Sequence, residues 1–151
     1  MNRRTLVALP QPGSAQSSPQ IGTWKLNLQK SAYIPGPPPR SQTLNITQDG
    51  QNIRDTVQTI DAQGNVRTSV VMHVFDGQPH PATGYLDFDA TVITQVDANP
   101  FSVIASRLKA GKLVQVGTVV MSQDGKTLTI TITGINVNGQ PVKSIAVYDK
   151  Q

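Results

Sequence analysis

The chain has 151 residues, the length of one domain, and a net charge of +4 at pH 7. It contains no cysteine, nine aspartates, no glutamate and two histidines, which excludes disulfides, thiolate metal sites, a cysteine nucleophile and a three-histidine metal centre. Beyond one pair near the N-terminus the basic residues are scattered, and aromatic residues make up 5%, so the sequence does not favour nucleic-acid binding.

Residues 1–20 predict a disordered tail or the remnant of an export signal. Arg3 and Arg4 precede a short apolar run that ends at Pro10, and residues 14–16 resemble a cleavage site. Residues 10–20 are rich in Pro, Gly, Ser and Gln, which predicts disorder. We therefore expect one domain over 21–151 and a periplasmic or secreted protein, with a cytoplasmic location as the alternative. No apolar run reaches the length of a membrane-spanning helix.

From residue 21 onward, turn residues separate short segments in which apolar and polar side chains alternate. The clearest segment places Leu128, Ile130 and Ile132 on one face and threonines on the other, the period of a β-strand. Glycine supplies the positive φ of tight hairpin turns. Such glycines occur in Asp49-Gly50, Gln63-Gly64-Asn65, Asp76-Gly77, Ala110-Gly111, Asp124-Gly125 and Asn138-Gly139. The spacing predicts nine or ten strands, near 21–28, 42–48, 52–60, 66–75, 83–87, 90–96, 101–109, 112–121, 126–134 and 142–149.

The predicted hairpins follow one another without a helix, which indicates an all-β, antiparallel up-and-down meander. The proline-rich residues 35–39 interrupt it as a loop, because proline fixes φ and removes an amide donor. Closing such a meander into a barrel removes exposed sheet edges. We expect a closed barrel of about 8–10 strands, wide enough to be filled by side chains or to hold one small ligand.

The first predicted strand opens with Gly22-Thr23-Trp24-Lys25, which resembles the Gly-x-Trp motif of lipocalins. With the further segments below, residues 22–151 resemble small exported bacterial lipocalin-like proteins, most of them without an assigned function. Those segments are Leu26-Asn27, Lys30-Ser31, Pro35-Gly36-Pro37, Phe75-Asp76-Gly77, Ser122-Gln123-Asp124-Gly125-Lys126-Thr127 and Val147-Tyr148-Asp149-Lys150. The resemblance implies that Trp24 closes the barrel floor and that a basic side chain of the last strand, Lys143 or Lys150, covers it.

The densest group of candidate catalytic residues lies in residues 73–85. An aspartate such as Asp76 can orient a histidine, His73 or His80, as a base toward water near neutral pH. The alternative is that His80, between two prolines, is an exposed loop residue and that His73 belongs to an ordinary strand face.

Asp55 is a further candidate base, because it alternates with the apolar Ile53 and Val57. If that face is the barrel interior, Asp55 is a buried carboxylate suited to catalysis or to a polar ligand contact. In the alternative arrangement Arg54, Thr56 and Gln58 face inward, and Asp55 is solvated.

Asp87 and Asp89 are candidate metal ligands. On an extended strand, residues two apart point to the same face, and their two carboxylates could share a hard cation such as Ca²⁺. The alternative is a pair of solvated loop carboxylates, since the segment lacks the EF-hand pattern.

The sequence supports two hypotheses about function. The first is a binding module whose interior holds a small apolar or acyl-chain molecule, with ligand contacts from Tyr33, Met72, Tyr85 and Tyr148. The second is a hydrolase in the same cavity, in which water activated by Asp and His attacks a lactone or ester, with a metal ion as a possible aid. In size and in lacking known hydrolase motifs, the chain also resembles small environmental-DNA hydrolases that open acyl-homoserine lactones. Neither hypothesis fixes the oligomeric state.

Overall fold

The computed structural model describes residues 18–98 and 101–151, so most of the predicted export signal lies outside the described residues. The described chain is a series of antiparallel strands with one short 3-10 helix, Leu28–Lys30. The eleven strands are β1 Gly22–Leu26, β2 Ala32–Ile34, β3 Ser41–Asp49, β4 Asn52–Ile60, β5 Val66–His73, β6 His80–Thr83, β7 Ala90–Ala98, β8 Phe101–Lys109, β9 Lys112–Met121, β10 Thr127–Ile135 and β11 Pro141–Lys150. The described residues contain no helix long and apolar enough to cross a membrane.

The strands form one closed barrel with ten positions around its circumference. Each of β3 to β10 pairs with the next strand in the chain, and β1 pairs with both β3 and β11, which closes the sheet. β2 pairs with β11 further along the same edge, so β1 and β2 are two parts of one interrupted barrel position. The predicted all-β meander closed into a barrel is therefore confirmed.

Most of the predicted strands coincide with observed ones to within two or three residues. The fifth is wrong, because β6 covers residues 80–83 and the predicted strand at 83–87 is mostly the β6–β7 loop, residues 84–89. Gly84 begins that loop with φ +83°, and Phe88 turns back into the core, which a continued strand would not allow. The short strand β2 was not predicted.

Trp24 lies at one end of the barrel, the floor. Its side chain is fully buried, and its indole Nε1–H donates a hydrogen bond of 2.9 Å to the carbonyl oxygen of Gln20. The ammonium of Lys150 lies 5.3 Å from the ring centroid and donates to the carbonyl oxygen of Pro19. Lys150, not Lys143, is therefore the basic residue over the Trp, and the floor is held by the two ends of the described domain.

The opposite end of the barrel is open, and we call it the mouth. Its walls are the proline-rich segment 34–40, the β4–β5 turn, the β6–β7 loop and the β10–β11 turn. Because neighbouring strands alternate in direction, residues at the end of β8 and the start of β9 lie near the mouth. The end of β5 lies toward the floor.

Candidate functional site

The barrel interior contains an enclosed chamber of about 170 Å³. Ten of the twenty residues that line it are aliphatic, in keeping with the alternation of the strands. The aliphatic lining residues are Leu44, Val57, Val71, Ile93, Val103, Ala105, Val119, Ile130, Ile132 and Ala146. Nine lining residues carry polar groups, and an apolar wall with convergent polar groups is the pattern of a small-molecule site.

Asp55 and His73 meet in the chamber wall. Ile53 pairs with His73 and Asp55 pairs with Val71, so the aspartate and the histidine are diagonal neighbours on the inner face of the sheet. The Asp55 Oδ2 atom lies 2.8 Å from His73 Nε2, and the two side chains are 17% and 6% exposed. The interior orientation of Asp55 is therefore the one that the structure adopts.

Four buried polar atoms in the chamber have no hydrogen-bond partner among the described residues. They are the Tyr33 hydroxyl, Asp55 Oδ1, His73 Nδ1 and Thr91 Oγ1. Buried polar atoms in folded proteins almost always have a partner, because an unpartnered one costs about 1–3 kcal/mol. Four in one chamber indicate a space suited to polar atoms of water or a ligand.

Arg107 brings a positive charge to the end of this chamber that adjoins the mouth. Its Nη1 donates to Gln115 Oε1 at 3.0 Å, and its guanidinium carbon lies 4.4 Å from the ring centroid of Phe88. Tyr85 stacks on the same Phe88 ring with the centroids 4.4 Å apart. Burial lowers the pKa of Arg107, but an arginine stays charged in proteins. No carboxylate in residues 18–98 or 101–151 lies within ion-pair distance of this guanidinium.

The three tyrosines predicted as ligand contacts all line the chamber. Burial raises the pKa of Tyr33 to about 12, raises that of Tyr85, and raises that of Tyr148 well above its ordinary value. All three are therefore neutral hydroxyl groups at physiological pH. The Tyr148 hydroxyl donates to Gln42 Oε1, whose Nε2 donates to Thr59 Oγ1, so this tyrosine is fixed in place.

A second, wider cavity of about 540 Å³ fills the mouth and adjoins the chamber. Its wall is formed by the proline-rich segment, by Arg67 and by several amide and carboxylate side chains. Five residues line both cavities: Tyr33, Gln42, Arg107, Ile132 and Ser144. This ring of shared residues, which we call the junction, is where the chamber meets the mouth.

The other predicted catalytic pair lies away from the chamber. His80 Nε2 is 2.9 Å from both carboxylate oxygens of Asp76, but Asp76 is exposed and neither residue lines either cavity. The Gln78 amide and the His80 ring lower the pKa of Asp76. Of the predicted catalytic residues, the structure brings Asp55 to His73 and Asp76 to His80, in two separate pairs.

Met72, predicted as a ligand contact, lies on the outer face of the barrel. Val71 and His73 line the chamber, so the residue between them points outward. The outer face of this strand carries the apolar Val66, Val70 and Met72, whereas its inner face includes the polar Ser69 and His73, so an apolar side chain does not mark the inner face here.

Asp87 and Asp89 do not form the shared face that the sequence suggested, because they lie in a loop rather than on a strand. Asp87 accepts hydrogen bonds from Gln115 Nε2 and from the Val137 amide, whereas Asp89 accepts from the Ala110 amide. Each carboxylate therefore links the β6–β7 loop to a different neighbouring turn. The described residues contain no group of three or more His, Cys, Asp or Glu that could hold a metal ion, and the Ca²⁺ site stays a prediction.

Sequence reasoning missed Arg107 and Thr91. A signal for Arg107 was present, because Phe101, Val103, Ala105 and Arg107 share one face of a strand with only one charged member. Thr91 gave no such signal, since threonine is common on both faces of strands.

The chain matches no protein-family model, and no curated protein matches it either. A solved structure that it resembles is the zebrafish ileal bile acid-binding protein in complex with cholic acid, with a TM-score of 0.49 and 14% sequence identity. The alignment covers 89% of this chain and 100% of the zebrafish chain. At this similarity the comparison does not indicate what this chain binds.

Proposed function

We propose that the protein binds a small apolar or acyl-chain molecule inside the barrel. The observation that carries the proposal is the interior chamber, half of whose lining residues are aliphatic and in which four buried polar atoms have no partner among the described residues. A protein that only needed a stable barrel would gain from filling this space, since cavities and unpartnered polar groups both cost stability. A ligand that places apolar atoms against the aliphatic residues and polar atoms beside the four unpartnered atoms offsets both costs.

Binding can be tested by filling the chamber. Ala105 lines it, so Ala105→Leu adds bulk where the ligand would lie, whereas Ile104→Phe adds bulk on the outer face of the same strand. We expect an apolar fluorescent probe to bind the wild type and Ile104→Phe, and binding to Ala105→Leu to weaken at least tenfold. Equal probe binding by all three proteins would place the probe outside the chamber and contradict the proposal.

If Ala105→Leu does not fold, Gly117→Ala serves instead. A Cβ at Gly117 would meet its nearest atoms at 3.7 Å or more, an ordinary contact distance, and this residue also lines the chamber. Native mass spectrometry of the purified protein would also reveal a bound molecule by the increase in mass and would give the mass of that molecule.

The Asp55–His73 pair supports a second candidate function, hydrolysis of an acyl lactone or ester. With the ring proton on Nε2, donated to Asp55, the unpartnered Nδ1 of His73 is an acceptor inside the chamber. Water bound there could give a proton to Nδ1 while its oxygen attacks a carbonyl carbon. The proton would then pass to the leaving alkoxide as the carbon–oxygen bond breaks. Acyl-homoserine lactones are substrates that combine an acyl chain with such a carbonyl.

The second Asp–His pair provides the matched control for this candidate. If the chamber hydrolyses lactones or p-nitrophenyl esters, Asp55→Asn and His73→Gln should lower kcat/KM by about 10²–10⁴-fold, the usual contribution of a general base. Asp76→Asn and His80→Gln, outside both cavities, should leave it unchanged. Assays with EDTA and with added Ca²⁺ would test a metal requirement. Absence of turnover in the wild type, with and without Ca²⁺, would reject the hydrolase and leave the binding proposal standing.

A further inference from the structure

The volume of the chamber limits which ligand it can hold. At about 170 Å³ it is close to an engineered apolar cavity of about 150 Å³ that binds benzene, so it holds an apolar group of about six carbons. Sites for drug-sized ligands occupy about 300–1,000 Å³. A long acyl chain therefore does not fit within the chamber, and the larger part of a larger ligand would occupy the polar mouth.

The junction between the two cavities is where the character of the wall changes. Above it the mouth is lined by proline, amide and carboxylate side chains, by Arg67 and by several aliphatic residues, and below it half of the residues that line the chamber are aliphatic. Arg107 and Tyr33 line both cavities at this level. An amphiphile that spans the junction would place the first polar group of its head beside these two side chains.

The charge at the junction is only partly neutralised by the protein. Arg107 donates one hydrogen bond, to Gln115, although a guanidinium has five N–H donors. The carboxylate that acts on it electrostatically is Asp87, whose oxygens already accept from Gln115 and from the Val137 amide. The buried Tyr33 hydroxyl beside the same space has no partner.

The carboxylate that lines the chamber itself is engaged elsewhere. Asp55 lines the chamber but not the mouth, and it is hydrogen-bonded to His73. The junction thus offers several donors and a positive charge, which matches the two oxygens of a carboxylate.

We propose that the ligand is a short-chain carboxylate amphiphile, with an apolar group of about six carbons in the chamber and its anionic head on Arg107 and Tyr33 at the junction. This inference rests on the proposed binding function and specifies the length and charge of the ligand.

The test is a series of straight-chain carboxylates of increasing length and their methyl esters, each used to displace the apolar probe. Each added methylene should tighten binding about fourfold, because burying it is worth about 0.8 kcal/mol, until about six carbons are buried. Beyond that length affinity should stop rising or fall. The acids should bind about 10- to 100-fold more tightly than their esters, the range expected for hydrogen bonds to a charged group. Affinity that continues to rise with long chains, or esters that bind as tightly as acids, would overturn the inference.

Arg107→Met tests the role of the charge, because it keeps an unbranched apolar side chain and removes the guanidinium that lies over Phe88. It should abolish the preference for acids over esters. Arg54→Met, which removes an exposed charge on the outer face, should keep that preference. If Arg107→Met does not fold, Arg107→Lys keeps a charge but loses the bidentate fork, and the preference should shrink.

The outcomes separate this inference from the binding function. If no acid or ester of any length displaces the probe, and Ala105→Leu takes up the probe like the wild type, the binding function fails. If esters displace the probe as well as acids do, binding stands and the assignment of an anionic head to Arg107 fails.

Discussion

The buried Asp55–His73 pair gives a sharp prediction about stability. His73→Phe removes the partner of Asp55 Oδ2 and leaves a carboxylate, only 17% exposed, without a hydrogen bond on either oxygen. Asp55→Leu likewise leaves the histidine without a partner on either ring nitrogen. Each single substitution should lower the free energy of unfolding by about 1–3 kcal/mol, the cost of a buried unpartnered polar group.

The double substitution should cost less than the sum of the two single ones. With both polar groups replaced by apolar ones, no buried group is left without a partner, and the protein should be about as stable as the wild type or more so. Since the double substitution costs about nothing, the expected coupling energy equals the sum of the two single costs, about 2–6 kcal/mol. For a chain of this length, 1 kcal/mol corresponds to a Tm shift of about 2–4 °C.

The assay is urea unfolding followed by the fluorescence of Trp24, the only tryptophan in the chain. The four proteins of the cycle should share one m-value, so that differences in midpoint report stability. Additive costs, with a coupling energy near zero, would refute the interaction of Asp55 with His73. The Asp76–His80 pair serves as a control, because it is partly exposed and the same cycle there should give a coupling of at most about 1 kcal/mol.

Three further predictions concern the frame of the barrel. Gly84→Ala would place a Cβ 2.2 Å from a backbone oxygen of β5, so it should lower Tm more than Gly77→Ala does. Gly77 has a similar positive φ, but a Cβ there would meet nothing within 4 Å. Equal losses of Tm would contradict the steric argument. Trp24→Phe removes the indole hydrogen bond at the floor and should cost about 1–3 kcal/mol in thermal unfolding followed by circular dichroism; an unchanged Tm would contradict it. The pKa of Tyr33 is raised to about 12, so between about pH 10 and 12 the unfolded chain loses the phenol proton while the folded chain keeps it. The free energy of unfolding should therefore fall as pH rises through this range. A tyrosinate absorbance titration that gives an ordinary pKa for Tyr33 in the folded protein would contradict this prediction.

The strands could be predicted because their signals are local. Alternation places Leu128 and Ile130 on one face of their strand whatever lies around them. A glycine with positive φ allows a tight turn between two successive strands. The one strand placed wrongly is where a local signal was overruled. Residues 83–87 were predicted as a strand, but they form a loop in which Gly84 has a positive φ and which places the Phe88 ring against Arg107 and Tyr85.

The candidate site could be predicted only in part. Asp55, His73 and the three tyrosines were identified from residue type and alternation, and the structure places all five in the chamber wall. Which aspartate accompanies which histidine could not be read from the sequence, because it depends on strand register. A shift of one residue between β4 and β5 would have turned one of the two side chains outward.

The sequence by itself determined an all-β chain of hairpins, without thiol or multi-histidine chemistry, whose reactive groups are a few aspartates, histidines and tyrosines. The tertiary structure decided which of them share a space. Closure of β1 on β11 joins the two ends of the domain, encloses the chamber and sets Arg107 at its junction with the mouth. Alternation and turn conformation are short-range properties of the chain. A cavity, in contrast, is formed by residues far apart in sequence and exists only once the barrel is closed.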